Sequence, residues 1–347
     1  MQSKNILLLF FLVLFLASCS QQKPIEESLT WETLADILIP RSGGAGGAAI
    51  DGKIYVVGGT GPNVGQSLEM YDPATNSWTE KAKMPTRRES PIVVAFENKL
   101  YVIGGTNPSA ANGDYYDAQT AVVEIYDPVT DTWSDSPSLD QKRDVAAGVV
   151  VSDKIYVLGG MVGLEEGMTA GSDSKGKPVV NTDTVEVYSP QTNNWTMLDA
   201  PMPVATRAMA YATVGKNIYL FGGCAGIVES PCTQTRVQIF DTETQTWRLA
   251  AEEMPTGRHF SGQGAVTVGT DIYVFGGATD YSEHVFDTVE IFDTVTETWS
   301  EATPMKTGRK STASAFVDGY LYIIGGHTDD TFKLGNSVNE RAYVGAE

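Results

Sequence analysis

Six arginines recur along the chain, and their guanidinium groups could bind carboxylates or phosphates of a ligand. Each arginine precedes a run of small and β-branched residues that is typical of a β-strand. Residues that recur in every repeat can also serve the scaffold, so the arginines could instead bond to backbone or acidic groups of neighbouring segments. The six candidate ligand-binding arginines are Arg41, Arg88, Arg143, Arg207, Arg258 and Arg309.

Four glutamates recur inside segments that we interpret as strands: Glu69, Glu124, Glu186 and Glu290. A carboxylate in such a position needs a partner, because an unpaired buried charge is costly. A recurring arginine or a backbone amide could supply that partner. We therefore interpret these carboxylates as scaffold and predict no catalytic role for them.

The chain has three histidines, His259, His284 and His327. Imidazole groups can bind metals or move protons. No two of them share a short ligand spacing, however, and no Ser-His-Asp order or phosphate-binding loop can be placed. We predict no catalytic residue, metal site or cofactor.

The N-terminus has the pattern of a processing signal. Lys4 precedes the apolar run 6–16, which is too short to span a bilayer comfortably. The following Leu-Ala-Ser-Cys sequence resembles the lipobox of bacterial lipoproteins, which implies cleavage before Cys19 and a lipid on its thiol. We predict a signal peptide at 1–18 and a lipidated cysteine with a polar tether at 19–29. An ordinary signal peptide that happens to contain a cysteine is the alternative.

Two further cysteines, Cys224 and Cys232, lie close together in one loop sequence. An exported protein meets an oxidising compartment, where such a pair is expected to form a disulfide. The residue after Cys19 is Ser20, which favours sorting to the outer membrane. The protein would then face the periplasm or the cell surface.

The elements that position these residues repeat six times. A segment of the form apolar-Tyr-apolar-apolar-Gly-Gly recurs at intervals of about 50 residues, and each copy is typical of a strand that ends at glycine. Five of the copies are followed by an apolar-acidic-apolar-aromatic strand, a turn and a tryptophan. The glycine pairs end at Gly59, Gly105, Gly160, Gly223, Gly277 and Gly326, and the tryptophans are Trp78, Trp133, Trp195, Trp247 and Trp299.

Together these signatures resemble the kelch repeat from Trp31 to Tyr343. The resemblance implies an all-β, six-bladed propeller over 30–347, with one four-stranded sheet per repeat. The last repeat lacks a tryptophan after its "NERAY" segment. We therefore predict that the strand around Trp31 completes that blade and closes the ring.

The resemblance also implies that the loops into the inner strands and the loops after Gly-Gly share one face, where related propellers often bind ligands. The second repeat carries a long loop there with Tyr115 and Tyr116, which could stack on a sugar ring or a peptide side chain, or could cover the base of their own loop. The third repeat carries the longest insertion, 161–184.

A formal net charge of −19 and the lack of a basic cluster exclude binding to nucleic acid through its phosphates. The sequence favours a non-enzymatic, lipid-anchored binding protein for a glycan, a peptide or an envelope protein. The alternative is a sugar-active enzyme that resembles the exported N-acetylneuraminate epimerases, or sialic acid mutarotases. Proton transfer on a sugar needs little more than one acid or base and an anion-binding arginine.

Overall fold

The protein is an all-β propeller of six blades, as the sequence predicts. The computed structural model describes residues 25–41, 43–61, 63–107, 118–162, 171–172, 178–225, 232–279, 284–328 and 335–345. Within these ranges all regular elements are strands, and no helix is long and apolar enough to cross a membrane. Five four-stranded antiparallel sheets and one sheet of four antiparallel strands with a parallel fifth strand account for most of the described strands.

Each blade runs from an inner strand at the central channel to an outer strand at the rim. Blade 1 consists of Gly46–Ile50, Lys53–Val57, Leu68–Asp72 and Ser77–Glu80. Blade 2 consists of Ile92–Phe96, Lys99–Ile103, Val123–Asp127 and Thr132–Ser136. Blade 3 consists of Ala147–Val151, Lys154–Leu158, Val185–Ser189 and Asn194–Met197. Blade 4 consists of Ala210–Val214, Asn217–Phe221, Val237–Asp241 and Thr246–Leu249. Blade 5 consists of Ala265–Val268, Asp271–Phe275, Val289–Asp293 and Thr298–Ala302.

Blade 6 closes the ring with a strand from the other end of the chain. Its first three strands are Ala313–Val317, Tyr320–Ile324 and Asn339–Tyr343, and its outer strand is Trp31–Thr33. Trp31 pairs with Ala342 in an antiparallel register. The Trp31 indole also donates a 3.0 Å hydrogen bond to the carbonyl of Thr303 in blade 5. The predicted closure is therefore confirmed.

Six shorter strands lie outside the blades, at their edges and in their loops. They are Ile25–Glu27, Met161–Val162, Gly171–Ser172, Pro178–Asn181, Thr206–Arg207 and Cys224–Ala225. Ile25–Glu27 lies inside the segment that the sequence assigns to the tether, yet it pairs in parallel with the outer strand of blade 5. The free edge of that sheet offers unpaired backbone groups, which explains why a short neighbouring segment adds to it.

The tryptophans of blades 1 to 4 and of blade 6 donate hydrogen bonds to the chain that leaves the preceding blade. Trp133 donates a 2.8 Å hydrogen bond to the carbonyl of Ala82, which belongs to the chain entering blade 2 from blade 1. The same indole lies against the Tyr126 ring at a centroid distance of 5.2 Å. Such tilted aromatic pairs add to the stability that their buried area already supplies. Equivalent indole bonds run from Trp78, Trp195 and Trp247 to the carbonyls of Ala35, Pro137 and Ala200.

The glycine pairs lie where one blade meets the backbone of the next. Gly59 donates a 3.1 Å hydrogen bond to the carbonyl of Arg88. Gly58 has a φ of 66°, and a Cβ atom on it would lie 2.9 Å from the same carbonyl oxygen. A side chain would therefore be both conformationally strained and in steric conflict here. Glycine is required at this position because the chains approach so closely.

Two faces of the propeller follow from this topology. The loops that enter the inner strands and the connections after Gly-Gly meet on one side, which we call the loop face. The tight turns between the remaining strands lie on the opposite side, the turn face. Inner strands of successive blades contact one another around the whole ring, so the blades enclose a central channel.

Candidate ligand-binding site

Five of the six arginines form buried ion pairs within their own blades. Each pairs with the glutamate of the third strand, and each is at most 1% exposed. Arg41 Nη2 lies 2.5 Å from Glu69 Oε2. Arg309 Nη2 lies 2.7 Å from Glu340 Oε2, an ion pair by distance whose atoms are not aligned as a hydrogen bond. The remaining pairs are Arg88 with Glu124, Arg143 with Glu186 and Arg258 with Glu290.

Each pair connects the chain entering a blade to that blade's third strand. In blade 2 the other terminal nitrogen of Arg88, Nη1, donates 2.8 Å hydrogen bonds to the carbonyls of Val102 and Val122. Glu124 in turn accepts a 3.1 Å hydrogen bond from the backbone amide of Thr86. Buried charges persist when they are paired and hydrogen-bonded in this way. The predicted arginine or amide partner of the glutamates is thus present.

Burial and the neighbouring carboxylate act on these arginines in opposite directions. Desolvation lowers the pKa of Arg88, and the charge of Glu124 raises it. Desolvation likewise lowers the pKa of Arg258, opposed by Glu290. Because the ordinary pKa of a guanidinium group is far above 7, both groups stay charged at neutral pH.

The contacts of these five arginines match the scaffold alternative. Their guanidinium groups are buried and have carboxylate and carbonyl partners, such as Glu124, Val102 and Val122 for Arg88. Ligand binding stays a prediction for these five residues, Arg41, Arg88, Arg143, Arg258 and Arg309.

Blade 4 departs from the pattern. The sequence aligns Arg207 with the other five arginines, but in the structure the equivalent residue is the preceding one, Thr206. The carbonyl of Thr206, not that of Arg207, accepts the bond from the preceding Gly-Gly, with Gly160 N at 2.9 Å. Thr206 also lies four residues before its inner strand, as Arg88 does. The hydrogen-bond register therefore places Thr206 at the arginine position.

Blade 4 replaces the ion pair by a neutral network. Gln238 occupies the position of the glutamate in the third strand. Its Nε2 donates to Thr206 Oγ1 at 3.3 Å, and Gln234 Nε2 donates to the same oxygen at 2.8 Å. The exchange of glutamate for glutamine in the "VQIFD" repeat is the sequence signal that could have revealed this change.

The residue after the arginine position differs in every blade that the structure describes there. These five side chains, which we call the cleft residues, are at most 8% exposed. Each one pairs through its backbone with the residue that follows Gly-Gly in its own blade, as Arg207 does with Cys224. The cleft residues are Glu89, Asp144, Arg207, His259 and Lys310. The equivalent of blade 1 is Ser42, which lies outside the described residues.

Three of the cleft residues bond to the preceding blade. Thr60 Oγ1 of blade 1 donates a 3.1 Å hydrogen bond to Glu89. Thr106 Oγ1 of blade 2 donates to Asp144 Oδ2. Arg207 Nη1 donates a 2.7 Å bond to Asn181 Oδ1, which belongs to the long connection of blade 3. The cleft residues therefore line the boundaries between blades at the loop face.

Their charges are sorted around the ring. The two acids, Glu89 and Asp144, belong to blades 2 and 3, whereas Arg207, His259 and Lys310 belong to blades 4, 5 and 6. The acidic cleft residues therefore belong to one part of the ring and the basic ones to another. The scaffold does not require this distribution, since the same backbone positions tolerate five different residue types.

A small depression at the mouth of the channel lies between these sectors. It is lined by backbone and small side chains that include Gly44, Ser90, Ala208 and Ser261. Val145 also lines it, with a φ of 44°. This left-handed conformation is unfavourable for a β-branched residue and costs about 1–3 kcal/mol. The equivalent residues of blades 2, 4 and 6, Ser90, Ala208 and Ser311, have φ of 50°, 56° and 59°, so this conformation belongs to the repeated scaffold.

The channel below the depression is partly filled. Tyr211 and Gln263 line both the mouth and the inner part of the channel. Gln263 Nε2 donates a 2.7 Å hydrogen bond to Gly47 O, and Gln263 Oε1 accepts one from Ser314 N at 3.0 Å. Burial raises the pKa of Tyr211, so its hydroxyl is neutral at physiological pH. These two side chains therefore partly fill the channel below its mouth.

The other predicted site residues have different outcomes. Cys224 and Cys232 form the disulfide that the sequence predicts, with a bond length of 2.10 Å. Cys19, Tyr115 and Tyr116 lie outside the described residues, so lipidation and ring stacking stay predictions. Glu340 is a scaffold residue that the sequence analysis missed, because its segment matches the repeat only weakly.

The histidines lie on the loop-face side of blades 5 and 6. His259 Nδ1 lies 3.3 Å from Ser261 Oγ, and the exposed His284 packs edge-on against Phe286 at 4.8 Å between ring centroids. No group of three side chains able to hold a metal ion occurs within the described part of the chain.

Comparison with protein families identifies the repeat. A family model described as the KLHDC2/KLHL20/DRC7 Kelch-repeats domain matches residues 149–338, and a second model, the Kelch motif, matches 41–85 and 93–139. The chain belongs to the kelch-repeat family. The predicted resemblance is therefore confirmed, and the family accounts for the Gly-Gly, tyrosine and tryptophan positions described above.

The kelch relatives differ in length and source. Kelch-like protein terF of Aspergillus terreus is 29% identical over 90% of this chain and 69% of its own length. Kelch domain-containing protein 3 of Bos taurus is 25% identical over 62% of this chain and 58% of its own length. Among solved structures, that of YjhT matches with a TM-score of 0.70 and 18% identity, covering 88% of this chain and 95% of that chain. The last similarity supports the fold alone.

Proposed function

We propose that this kelch protein is a non-enzymatic binding module that uses its loop face to hold a glycan, a peptide or an envelope protein. The observation that carries the proposal is the contrast between two adjacent positions. The arginine position is conserved between blades and serves the scaffold in five of them, whereas the next position varies and carries charge. Variation on a rigid scaffold is the usual source of binding specificity.

Kelch domains commonly mediate protein–protein interaction, which agrees with this role. The proposal extends to the N-terminus: a lipid on Cys19 would tether the propeller to the bacterial outer membrane, facing the periplasm or the cell surface. A diacyl anchor adds membrane affinity in proportion to its buried methylene groups and needs no membrane-spanning segment.

Binding and catalysis can be separated with one soluble protein that begins at Gln21. It is applied to a glycan array and an envelope-peptide array, and each sugar that binds is then tested for anomer exchange by NMR. We expect binding without exchange. The matched control is Lys216→Gln, a charge change in an exposed ion pair on the turn face, which should leave binding unchanged.

The same experiment decides against the proposal if exchange occurs. Anomer exchange that disappears in Arg207→Gln, while the fold stays intact, would identify the protein as a sugar-active enzyme instead. Loss of binding in the Lys216→Gln control would place the ligand on the turn face and contradict the assignment of the surface.

The anchor is tested separately in bacterial cells. Full-length protein should incorporate an alkyne-labelled fatty acid and sediment with membranes, whereas Cys19→Ser should do neither. Labelling of the Cys19→Ser variant to the same extent would contradict lipidation at Cys19.

A further inference from the structure

The outer edge of blade 5 carries an additional strand from the N-terminal segment. Ile25–Glu27 pairs in parallel with the outer strand Thr298–Ala302, and Ile25 lies opposite Glu301. Among the described residues, the sheets of the other five blades end at their fourth strand. The chain that precedes the propeller is therefore attached to one particular blade, where the free sheet edge accepts it.

Contacts farther along the chain hold the segment at the same place. The amide of Leu29 donates a 3.0 Å hydrogen bond to Thr303 Oγ1, and the Trp31 indole donates one to the carbonyl of Thr303. Leu29 is 5% exposed and lies in the apolar core that blades 5 and 6 share. Moving the segment would expose Leu29 to water and break both bonds. The chain therefore enters the propeller at the rim of blade 5.

The distance from this rim to the proposed anchor is short. Cys19 precedes Ile25 by six residues, and six residues span at most about 20 Å when fully extended. A lipid on the thiol would hold Cys19 at the surface of the bilayer. The rim of blade 5 would then lie within about 20 Å of that surface, whatever path the intervening residues take.

We propose that the rim of blade 5 faces the lipid bilayer and that blade 2 lies farthest from it. This inference rests on the proposed lipid on Cys19 and adds the orientation in which the anchor holds the propeller. Inner strands contact one another in the order of blades 1 to 6 and back to blade 1, so blade 2 lies across the channel from blade 5.

The tether sets this orientation, because protein charge does not favour it. The outer turn of blade 5 carries Asp293 and Glu297, and the whole chain has a net charge of −19. Acidic surfaces gain no attraction from anionic lipid headgroups. Val295 at the tip of the turn is 77% exposed, but its counterpart in blade 2, Val129, is 90% exposed. The attached N-terminal segment therefore distinguishes blade 5 from blade 2.

The orientation suits a protein that binds ligands through its loop face. The two longest connections after Gly-Gly are 106–122 of blade 2 and 161–184 of blade 3. Both blades belong to the half of the ring that lies away from blade 5. A ligand that approaches from the aqueous side would therefore reach the longest loops without obstruction by the bilayer.

The test compares Val129→Cys with Val295→Cys, a matched pair at equivalent turns on opposite sides of the ring. Both are made in the full-length protein, which is purified with its lipid from bacterial membranes. The lipid on Cys19 and the Cys224–Cys232 disulfide leave the new cysteine as the free thiol, which is labelled with a fluorescent donor. Each protein is added to preformed phosphatidylcholine vesicles that contain an acceptor-labelled lipid, and energy transfer is measured.

We expect the transfer efficiency from position 295 to exceed that from position 129 about twofold or more, because the tether keeps blade 5 closer to the acceptor. A second form of each variant carries a Gly-Ser linker of about twenty residues between Gln22 and Lys23, which adds about 25 Å of root-mean-square reach. In this form the transfer from position 295 should fall, and the difference between the two positions should disappear.

The possible failures are distinguishable. Equal transfer from the two positions, or greater transfer from position 129, while both proteins stay on the vesicles would overturn the orientation and leave the anchor standing. A difference that the linker leaves unchanged would also overturn it, because direct contact with lipid would then set the orientation. Protein that does not stay on the vesicles would contradict the proposed anchor at Cys19 and this inference with it.

Discussion

Blades 2 and 4 have the same four-stranded sheet but bridge it with different chemistry. In blade 2 a charged pair, Arg88 with Glu124, connects the entering chain to the third strand. In blade 4 the neutral pair Thr206 and Gln238 does so, with help from Gln234. The fold therefore requires a hydrogen-bonded bridge at this point but not an ionic one.

The comparison also separates two roles of arginine. Where the bridge is ionic, the arginine lies inside the blade. Where it is neutral, Arg207 stands one residue later and bonds across the blade boundary to Asn181. The natural differences between blades thus act as a set of substitutions within one molecule.

The largest effect is expected from removing one partner of an ionic bridge. Glu124→Ala should lower the free energy of unfolding by about 3–5 kcal/mol, because it leaves a buried guanidinium unpaired. Gln238→Ala in blade 4 should cost about 1–2 kcal/mol, because only neutral hydrogen bonds are lost. Urea unfolding of the soluble protein at pH 7 measures both. Equal losses in the two variants would remove the distinction between the blades.

A smaller effect is expected when blade 2 is given the chemistry of blade 4. Arg88→Thr alone leaves Glu124 buried without its cation, but the double variant Arg88→Thr with Glu124→Gln leaves no unpaired charge. We expect the double variant to be more stable than the single one by about 1–3 kcal/mol. A double variant that is less stable than Arg88→Thr would show that the neutral bridge depends on further residues of blade 4.

The smallest expected change in stability concerns the turn of blade 2 that contains Asp131 and bonds to the chain entering that blade. Asp131 accepts hydrogen bonds from the Tyr126 hydroxyl and the Ala82 amide, while blades 1 and 3 carry Asn76 and Asn193 at this place. These bonds lower the pKa of Asp131, the Tyr126 hydroxyl contributing most. The stabilisation is therefore complete above the unfolded pKa of about 3.9 and is lost as the pH falls through the lower folded value.

Asp131→Asn keeps the accepting oxygen and removes the titration. We expect the variant to differ from the parent protein by less than about 1 kcal/mol at pH 7 and to lose less stability between pH 5 and pH 2. Unfolding curves over this range test the expectation. An unchanged slope against pH would mean that Asp131 is not among the groups responsible for acid sensitivity.

The architecture could be predicted from the sequence because every blade repeats the same signals. Glycine pairs, tyrosines and tryptophans mark strand ends and blade contacts directly, and the unmatched Trp31 indicates how the ring closes. The need of the buried glutamates for partners follows from the cost of an unpaired charge. These inferences depend on residue type, which a single sequence displays.

The site could be predicted only in part, because it depends on register. Neighbouring residues in an extended chain face opposite ways, so a shift of one residue changes what a side chain contacts. Arg207 is shifted by one residue relative to Arg88. In the sequence this shift is indicated only by Gln238, which replaces the glutamate of the other blades. The weak repeat around Glu340 concealed the fifth ion pair for a similar reason.

The central claim, that the arginine position bridges its own blade whereas Arg207, one residue later in register, does not, is tested most directly by comparing Arg88→Gln with Arg207→Gln. Both remove one positive charge from a buried side chain, and both are unfolded in urea at pH 7. We expect Arg88→Gln to lower the free energy of unfolding by about 3 kcal/mol or more, and Arg207→Gln by less than about 1 kcal/mol. Equal losses, or a larger loss for Arg207→Gln, would contradict the account.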